Sequence, residues 1–275
     1  MIRLFTIFTL ITAASLLSPR LASAQRGEII TWMVDADQRQ AIVYAPASKP
    51  SGGRSPLVLS FHGHGDNMQN FQHTNLHEAW PEAVVVYVQG LPSRRDRLDG
   101  WQTEKGQDDD RDLRLVDVAL ASLRTRFQVD EARIYSTGFS NGANFTYLLW
   151  AERPGVFAAF APVAARLRPS VKPVQQKPLF HVAGMQDAQI PFADQQDAIA
   201  VARRVNGVAG KGAGASCGGG CTLYTSPGAQ PVMTWIHSGG HEYPASTSER
   251  IAKFFKEHPG KPQQAAERRS PNRRL

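Results

Sequence analysis

Hydrophobic residues occur in short runs that recur along the chain from about residue 40 onward. Seven of these runs predict strands: Ala41–Tyr44, Pro56–Phe61, Ala83–Val88, Arg133–Thr137, Phe157–Val163, Leu179–Ala183 and Val232–His237. Several runs are apolar at successive positions and do not alternate, which is typical of strands buried on both faces of a mainly parallel sheet. The sequence therefore predicts a central sheet that is covered on both sides.

Segments with apolar residues at helical spacing lie between these runs. The predicted helices are Asp112–Phe127, Asn141–Trp150, Asp194–Val205 with Asp194 at its cap, and a last one from the capping-box pattern Ser246–Glu249 to Pro259. The acidic stretch Asp108–Asp110 precedes the first of them, where carboxylates favour the positive end of a helix. Alternating strands and helices indicate an α/β fold, with helices on both faces of a mainly parallel sheet.

The chain has 275 residues, of which 42% are hydrophobic, enough for one large core. Residues 1–24 are typical of a signal peptide, with Arg3, an apolar Leu4–Leu17 and small residues up to Ala24. An uncleaved anchor or a buried first helix is the alternative, although the apolar stretch is short for a membrane span. We expect a secreted or periplasmic protein without stable membrane insertion after signal removal, and one domain over residues 25–260.

The net charge of +7 raises the question of a nucleic-acid partner. Residues 1–24 carry +2 and residues 261–275 carry +4, which leaves +1 for residues 25–260. The predicted domain is thus nearly neutral, and we expect no nucleic-acid binding. The basic, proline-containing segment 261–275 is predicted to be a disordered tail.

The chain contains two cysteines, Cys217 and Cys221, separated by three glycines. In an exported protein such a pair indicates a small disulfide loop, with two free thiols as the alternative.

Gly138-Phe139-Ser140-Asn141-Gly142 is the pattern of a nucleophile elbow. It follows a predicted strand and starts a predicted helix, as that motif requires. We expect Ser140 in a strained, positive-φ turn, with glycines on either side because a Cβ there would collide with the neighbouring strand or helix. The alternative is a glycine-rich turn whose serine caps the helix.

A second glycine-rich turn, His62–Asn67, follows the predicted strand Pro56–Phe61. Catalytic groups of open α/β sheets lie at the carboxyl ends of strands. Acyl transfer develops negative charge on a carbonyl oxygen, and fixed backbone N–H donors stabilise it. We assign these donors to His64 and Asn141; the alternative is an ordinary polar turn.

An acid and a base follow the last two predicted parallel strands. Asp187 comes after Leu179–Ala183, and His241 lies in a glycine turn after Val232–His237. We assign Asp187 to orient the imidazole of His241, and His241 to be the general base. Their order along the chain, serine, acid, histidine, is the one expected of α/β hydrolases.

Other residues compete for these roles. Asp194 and Asp197 are rival acids, but they fall in the predicted helix, and His181 lies inside a strand as a core histidine. Cys217, Cys221, His237 and His241 have nearly the spacing of a zinc finger. A finger carries its histidines on a helix, whereas these follow a β-rich run, so we predict no metal site.

Several of these motifs together resemble a known family. They are His62–His64, Gly100-Trp101, Asp110–Asp112 with Val116-Asp117, Gly138–Ala143, Gly184–Asp187 and Gly239–Pro244. Over residues 40–258 the chain is similar to secreted polyhydroxybutyrate depolymerase-like esterases, relatives of feruloyl esterases. The resemblance implies an α/β-hydrolase fold and a serine esterase mechanism without a cofactor.

We therefore expect a secreted serine esterase, acting on hydroxyalkanoate, feruloyl or acetyl esters. Trp101 is a candidate wall of the substrate cleft, with an exposed or core tryptophan as the alternative. The sequence shows no separate substrate-binding domain, which favours small or oligomeric esters over crystalline polymer, and we expect a monomer. An acyltransferase with the same residues and a non-catalytic binding protein are the alternative functions.

Overall fold

The structure is a computed structural model that describes residues 25–48, 52–210 and 212–261. Its strands are β1 (Glu28–Val34), β2 (Asp37–Tyr44), β3 (Ser55–Phe61), β4 (Val84–Val88), β5 (Leu91–Pro92), β6 (Asp99–Gly100), β7 (Val129–Phe139), β8 (Ala159–Val163), β9 (Leu179–Gly184), β10 (Ala215–Gly218), β11 (Cys221–Tyr224) and β12 (Val232–His237). Its helices are α1 (Met68–Phe71), α2 (Leu76–Ala79), α3 (Arg111–Phe127), α4 (Asn141–Glu152), α5 (Phe192–Val205) and α6 (Thr247–Glu257), with 3-10 turns at Gln72–Thr74 and Gln107–Asp110. The predicted signal peptide and nearly all of the predicted tail lie outside the described residues.

Ten strands form one sheet in the order β1-β2-β4-β3-β7-β8-β9-β12-β11-β10. The middle of the sheet, from β4 to β12 in this order, is parallel, and both edges are antiparallel. Within this parallel part β8 lies between β7 and β9. All seven predicted strands are present in this sheet, with ends shifted by a few residues.

Helices cover both faces of the sheet. One face packs against α3, α4 and α5, and includes the buried side chains of Leu120, Phe145 and Ala198. The other packs against α1, α2 and α6 and includes Phe71 and Phe255. Each face buries its own apolar cluster, so the predicted three-layer arrangement is confirmed.

The antiparallel edge strands β1, β10 and β11 were not among the predicted strands. β1 has the alternating burial of a strand with one solvent face, and Ile29 and Met33 point outward. β10 and β11 form a short hairpin that the Cys217–Cys221 disulfide closes. Both edges lack the long apolar runs on which the strand prediction relied.

Two helix caps differ from the prediction. Ser246 precedes α6 with a φ of 64°, and its side chain accepts no hydrogen bond from the backbone amides of the helix. An N-cap residue that accepts from the first amides normally has extended backbone angles, which Ser246 lacks, so the predicted capping box is wrong. Asp194 lies in the first turn of α5, which begins two residues earlier at Phe192 after Pro191.

The acidic stretch Asp108–Asp110 precedes α3, as the sequence indicates, but no side chain of it caps the helix. Asp108, Asp109 and Asp110 have positive φ values of 48°, 57° and 56°, so this turn has left-handed backbone conformations. The free amides of Asp112 and Leu113 instead donate to Oε1 of Gln102, at 3.1 and 3.2 Å. A side chain from a preceding loop therefore caps α3 and holds that loop against it.

A buried ion pair connects α3 to the sheet. Nη2 of Arg39, on β2, donates to Oδ1 of Asp112 at 2.8 Å, and both side chains are fully buried. The other carboxylate oxygen accepts from the amide of Gln102 at 2.8 Å. Burial lowers the pKa of Arg39, and Asp112 opposes that effect. The Asp112 carboxylate thus compensates a guanidinium that has lost its hydration.

None of the helices in the described ranges is long and apolar enough to cross a membrane.

The substitution Asp112→Ala is expected to lower the free energy of unfolding by about 3–5 kcal/mol, because it leaves the Arg39 charge buried without a partner. Urea denaturation measures the change. Asp117→Ala on the same helix removes a partly exposed pair with Arg153 and should cost less than about 1 kcal/mol. Equal losses in the two variants would contradict the account.

Candidate active site

Ser140 stands at a sharp turn between β7 and α4. Its φ is 54° and its ψ is −115°, a conformation that side chains rarely adopt. Its hydroxyl makes no capping hydrogen bond to α4. The turn therefore has the predicted elbow geometry, and the alternative in which Ser140 caps the helix does not describe it.

The flanking glycines are required by close backbone contacts. A Cβ on Gly142 would overlap the carbonyl oxygen of Phe61, at the end of β3, and one on Gly138 would lie 2.6 Å from the Gly142 carbonyl. At either position a Cβ would lie far closer to its neighbour than van der Waals contact allows. The start of α4 is thus pressed against the ends of β3 and β7, as the sequence pattern predicted.

The structure brings Ser140, His241 and Asp187 into one hydrogen-bonded row. Oγ of Ser140 lies 2.8 Å from Nε2 of His241, and Nδ1 of His241 lies 2.8 Å from Oδ2 of Asp187. The Asp187 side chain is fully buried and the His241 ring is 8% exposed. An acceptor at Nδ1 and a hydroxyl at Nε2 suit a neutral imidazole that carries its proton on Nδ1.

Two backbone hydrogen bonds join the loops that carry Asp187 and His241. The amide of Met185 donates to His237 O at 2.9 Å, and that of Gln186 to Gly239 O at 3.0 Å. A Cβ on Gly184 would overlap the carbonyl oxygen of Gly240, so only glycine allows this approach. The close contact of the two loops fixes the histidine next to its acid.

Asp187 accepts hydrogen bonds at both carboxylate oxygens. Oδ1 accepts from the amides of Gln189 and Ile190 at 2.9 and 2.8 Å. Oδ2 accepts from Nε2 of Gln195 at 3.0 Å as well as from His241. Gln195 is completely buried on α5. These donors hold the carboxylate in one orientation, and no sequence motif marks Gln195 for this role.

The turn after β3 lies beside the elbow. A Cβ on Gly63 would be 3.7 Å from Cβ of Ser140. His62 is buried: its Nε2 accepts from the amide of Gly90 at 2.9 Å and its Nδ1 lies 2.7 Å from the carbonyl oxygen of Gly63. Burial lowers the pKa of His62, so this ring is a neutral structural part of the turn.

The backbone amides of His64 and Asn141 are the predicted oxyanion donors. In the described part of the chain neither amide donates a hydrogen bond to another group. The His64 ring bonds Asp96 at 2.9 Å, and Oδ1 of Asn141 accepts from the amide of Trp101 at 2.7 Å. Both residues line the cavity that contains Ser140.

Trp101 lies beneath this cavity and is 3% exposed. Its indole N–H donates to His62 O at 2.9 Å, its ring stacks on Phe145, and its carbonyl accepts from Nδ2 of Asn141. It ties the turn after β3 to the elbow. Trp101 is thus mainly a core residue that supports the cleft, and its indole forms little of the wall.

The remaining histidines near the site have structural environments. His181 is fully buried on β9, with Nδ1 2.8 Å from the hydroxyl of Tyr147. Nδ1 of His237 accepts from the amide of Gly239 at 3.2 Å, and burial lowers the pKa of His237. In the described residues Cys217 and Cys221 are oxidised, so they offer no thiolates to a zinc ion.

A cavity of about 290 Å³ opens onto Ser140. The residues that line it are mostly polar, and four arginines are among them: Arg95, Arg111, Arg166 and Arg168. Arg111 belongs to the Asp110–Asp112 motif, whereas no sequence pattern marks Arg95, Arg166 or Arg168, which lie in two separate loops.

Comparison with known proteins supports the same class of fold. No family model matches the chain. It is 32% identical over 157 residues to a bifunctional acetylxylan esterase/xylanase, XynS20E, of Neocallimastix patriciarum, covering 54% of this chain and 21% of that protein. It is 22% identical to feruloyl esterase B of Piromyces equi, covering 74% of this chain and 42% of that one. The chain thus spans less than half the length of these relatives.

Among solved structures, an acetyl xylan esterase from Aspergillus awamori superimposes with a TM-score of 0.63 at 12% identity, over 84% of this chain and 99% of that one. Together with the sheet order and the elbow, this shows that the chain has the α/β-hydrolase fold, as expected from its motifs.

Burial lowers the pKa of His181 to about 4, from 6.5 for an unperturbed histidine. The unfolded chain then binds this proton more readily than the folded one between these two values, so stability falls as the pH falls through that range. From pH 7 to pH 5 His181 alone should account for about 2 kcal/mol of lost stability. Urea unfolding at the two pH values measures it.

The variant His181→Gln cannot take up this proton and should lose correspondingly less stability over the same interval. An identical pH dependence in the variant and the parent would show that His181 titrates normally.

Proposed function

We propose that the protein is a serine carboxylic-ester hydrolase. The observation that carries this proposal is the row of 2.8 Å contacts from Ser140 through His241 to Asp187, built on a positive-φ elbow. The fold and the esterase names of its relatives support the same reaction. Ser140 is the nucleophile, His241 the general base and Asp187 the group that orients it.

The reaction proceeds in two acyl-transfer steps. His241 Nε2 takes the proton of Ser140 as Oγ attacks the ester carbonyl carbon. It then gives that proton to the departing alcohol, which leaves the acyl group on Oγ. Water, deprotonated by the same nitrogen, attacks the acyl-enzyme and releases the acid. The adjacent Asp187 carboxylate stabilises the imidazolium that forms in each step.

The backbone amides of His64 and Asn141 bind the oxyanion of each tetrahedral intermediate. Their lack of an acceptor in the described residues and their place on the cavity wall support this role. Fixed amide donors act best where charge develops, since they need no reorientation during the reaction. The N-terminus of α4 adds a favourable dipole at the same point.

Acetyl, feruloyl and hydroxyalkanoate esters are the candidate substrates. Among the relatives, one has an acetylxylan esterase name and another a feruloyl esterase name. We further propose that the protein is exported. The Cys217–Cys221 disulfide supports this location because such bonds persist in oxidising compartments.

Ser140→Ala should lower kcat for short p-nitrophenyl esters by about three or more orders of magnitude, since no other hydroxyl replaces the nucleophile. Initial rates at saturating ester measure this. Ser93→Ala, which changes another serine of the same cavity, is the matched control and should stay within a few-fold of the parent. Retained turnover in Ser140→Ala would end the proposal.

Gln195→Leu removes a donor to Asp187 Oδ2 and should lower kcat by about tenfold with little change in KM. A carboxylate with one donor fewer attracts the His241 proton more strongly, so the acid limb of kcat/KM should move to higher pH. The control is Gln196→Leu, an exposed neighbour on α5. A smaller rate with an unmoved pH limb would mean that Gln195 only supports the fold.

A further inference from the structure

The cavity at Ser140 carries an excess of positive charge. Its wall contains four arginines, against two acids, Glu104 and Asp108. Among its lining residues the only large apolar side chains are Trp101 and Ile190, and Trp101 is nearly buried. Such a wall is poorly suited to an apolar polyester or a bare aryl ring, because binding would dehydrate charges without replacing their hydrogen bonds.

The topology places Arg166 and Arg168 at the edge of the sheet where the proposed catalytic residues lie. They follow β8, and β8 lies between β7, which ends at the elbow, and β9, which leads to Asp187. The amide of Arg166 donates to Oδ1 of Asn144 at 3.0 Å. Asn144 lies one helical turn after Ser140. This bond therefore anchors the loop that carries Arg166 and Arg168 to the helix that begins at the nucleophile.

These two guanidinium groups lack strong partners among the described residues. Arg168 makes no side-chain hydrogen bond or ion pair there, and its Nε is buried without a partner. Nε of Arg166 is likewise buried and unpartnered, and its nearest carboxylate oxygen, on Asp194, is 3.7 Å from Nη1. The Arg166 side chain is 39% exposed, so its terminal N–H groups remain open to an acceptor that a ligand supplies.

The acids on the cavity wall are partly engaged elsewhere. Glu104 accepts a hydrogen bond from Ser170, and Asp108 lies 3.8 Å from Nε of Arg94. Arg111 donates to the carbonyl oxygens of Leu91 and Pro92, which are neutral. The wall therefore keeps more arginines than carboxylates, and in the described residues no carboxylate pairs closely with Arg166 or Arg168.

We propose that Arg166 and Arg168 form a subsite for a carboxylate, so that the substrate is an ester with a free carboxylate on its acyl or its alcohol part. This proposal rests on the proposed ester hydrolysis and names its substrate class. A guanidinium pairs with a carboxylate through two parallel N–H···O bonds, which a neutral ester cannot offer. The carboxylate is bound and takes no part in bond making.

Two matched substrate pairs test the subsite. For the acyl side, monoethyl glutarate is compared with ethyl glutaramate, in which an amide replaces the carboxylate. For the alcohol side, 4-acetoxybutanoate is compared with 4-acetoxybutanamide. Release of acid is followed by pH-stat titration. The parent should prefer the carboxylate in one of the pairs by about tenfold or more in kcat/KM, and that pair identifies the side.

The variants Arg166→Gln and Arg168→Gln should each reduce this preference by about tenfold. Their thermal midpoints and circular dichroism are measured beside the rates, so that either variant can serve if the other fails to fold. Arg126→Gln is the control: this exposed arginine pairs with Glu28 and is absent from the cavity wall, so its variant should keep the parent's preference.

A parent without preference in either pair, or folded variants that keep the preference, would overturn the subsite. If the subsite fails in this way but the neutral amide esters are still hydrolysed in a Ser140-dependent reaction, the proposed esterase activity is retained. Absence of Ser140-dependent hydrolysis with all four esters would instead overturn the esterase proposal, and the subsite with it.

Discussion

The close approach of the start of α4 to the ends of β3 and β7 is the constraint on which the site depends. No Cβ fits at Gly138 or Gly142, since each would meet a backbone carbonyl of the neighbouring segment. In this close packing the chain reverses sharply at Ser140, which adopts a positive φ of 54°. The hydroxyl is thereby lifted above the sheet, at the edge where the other parallel strands also end.

The same edge assembles the partners of Ser140 through backbone contacts. The loop after β9 and the loop after β12 are hydrogen-bonded to each other, which sets Asp187 beside His241. On the opposite side, Trp101 holds the turn after β3 against Asn141. Each functional group is thus positioned by rigid neighbours, which is the condition for catalysis by preorganised groups.

Much of this fold can be predicted from the sequence, because buried parallel strands leave apolar runs that need no partner to be recognised. The Ser140 pattern is equally local, because every nucleophile elbow needs small residues on either side of the serine where the helix approaches the strands. Gln195 could not be found in this way: its partner Asp187 precedes it in another element, and a single glutamine in an amphipathic helix is usually solvated. Ser246 and Asp108–Asp110 adopt positive φ values, which a pattern of residue types does not reveal, and Ser246 does not form the predicted capping box.

The arginines of the cavity, like Gln195, could not be assigned to the site from the sequence. Arg111 begins a helix, Arg95 lies in the β5–β6 connection and Arg166 follows β8, and only folding gathers them at one opening. Charge counting along the chain gives nearly zero for residues 25–260 and hides this local excess. The positive electrostatic potential at the site therefore arises from the fold and not from the overall composition.

The most direct test of the central claim is covalent labelling with a fluorophosphonate, read by intact mass and by peptide mapping. One adduct per chain is expected, on Ser140, with slow labelling when His241 is replaced by alanine. Labelling at another residue, or an equally fast reaction without His241, would contradict it.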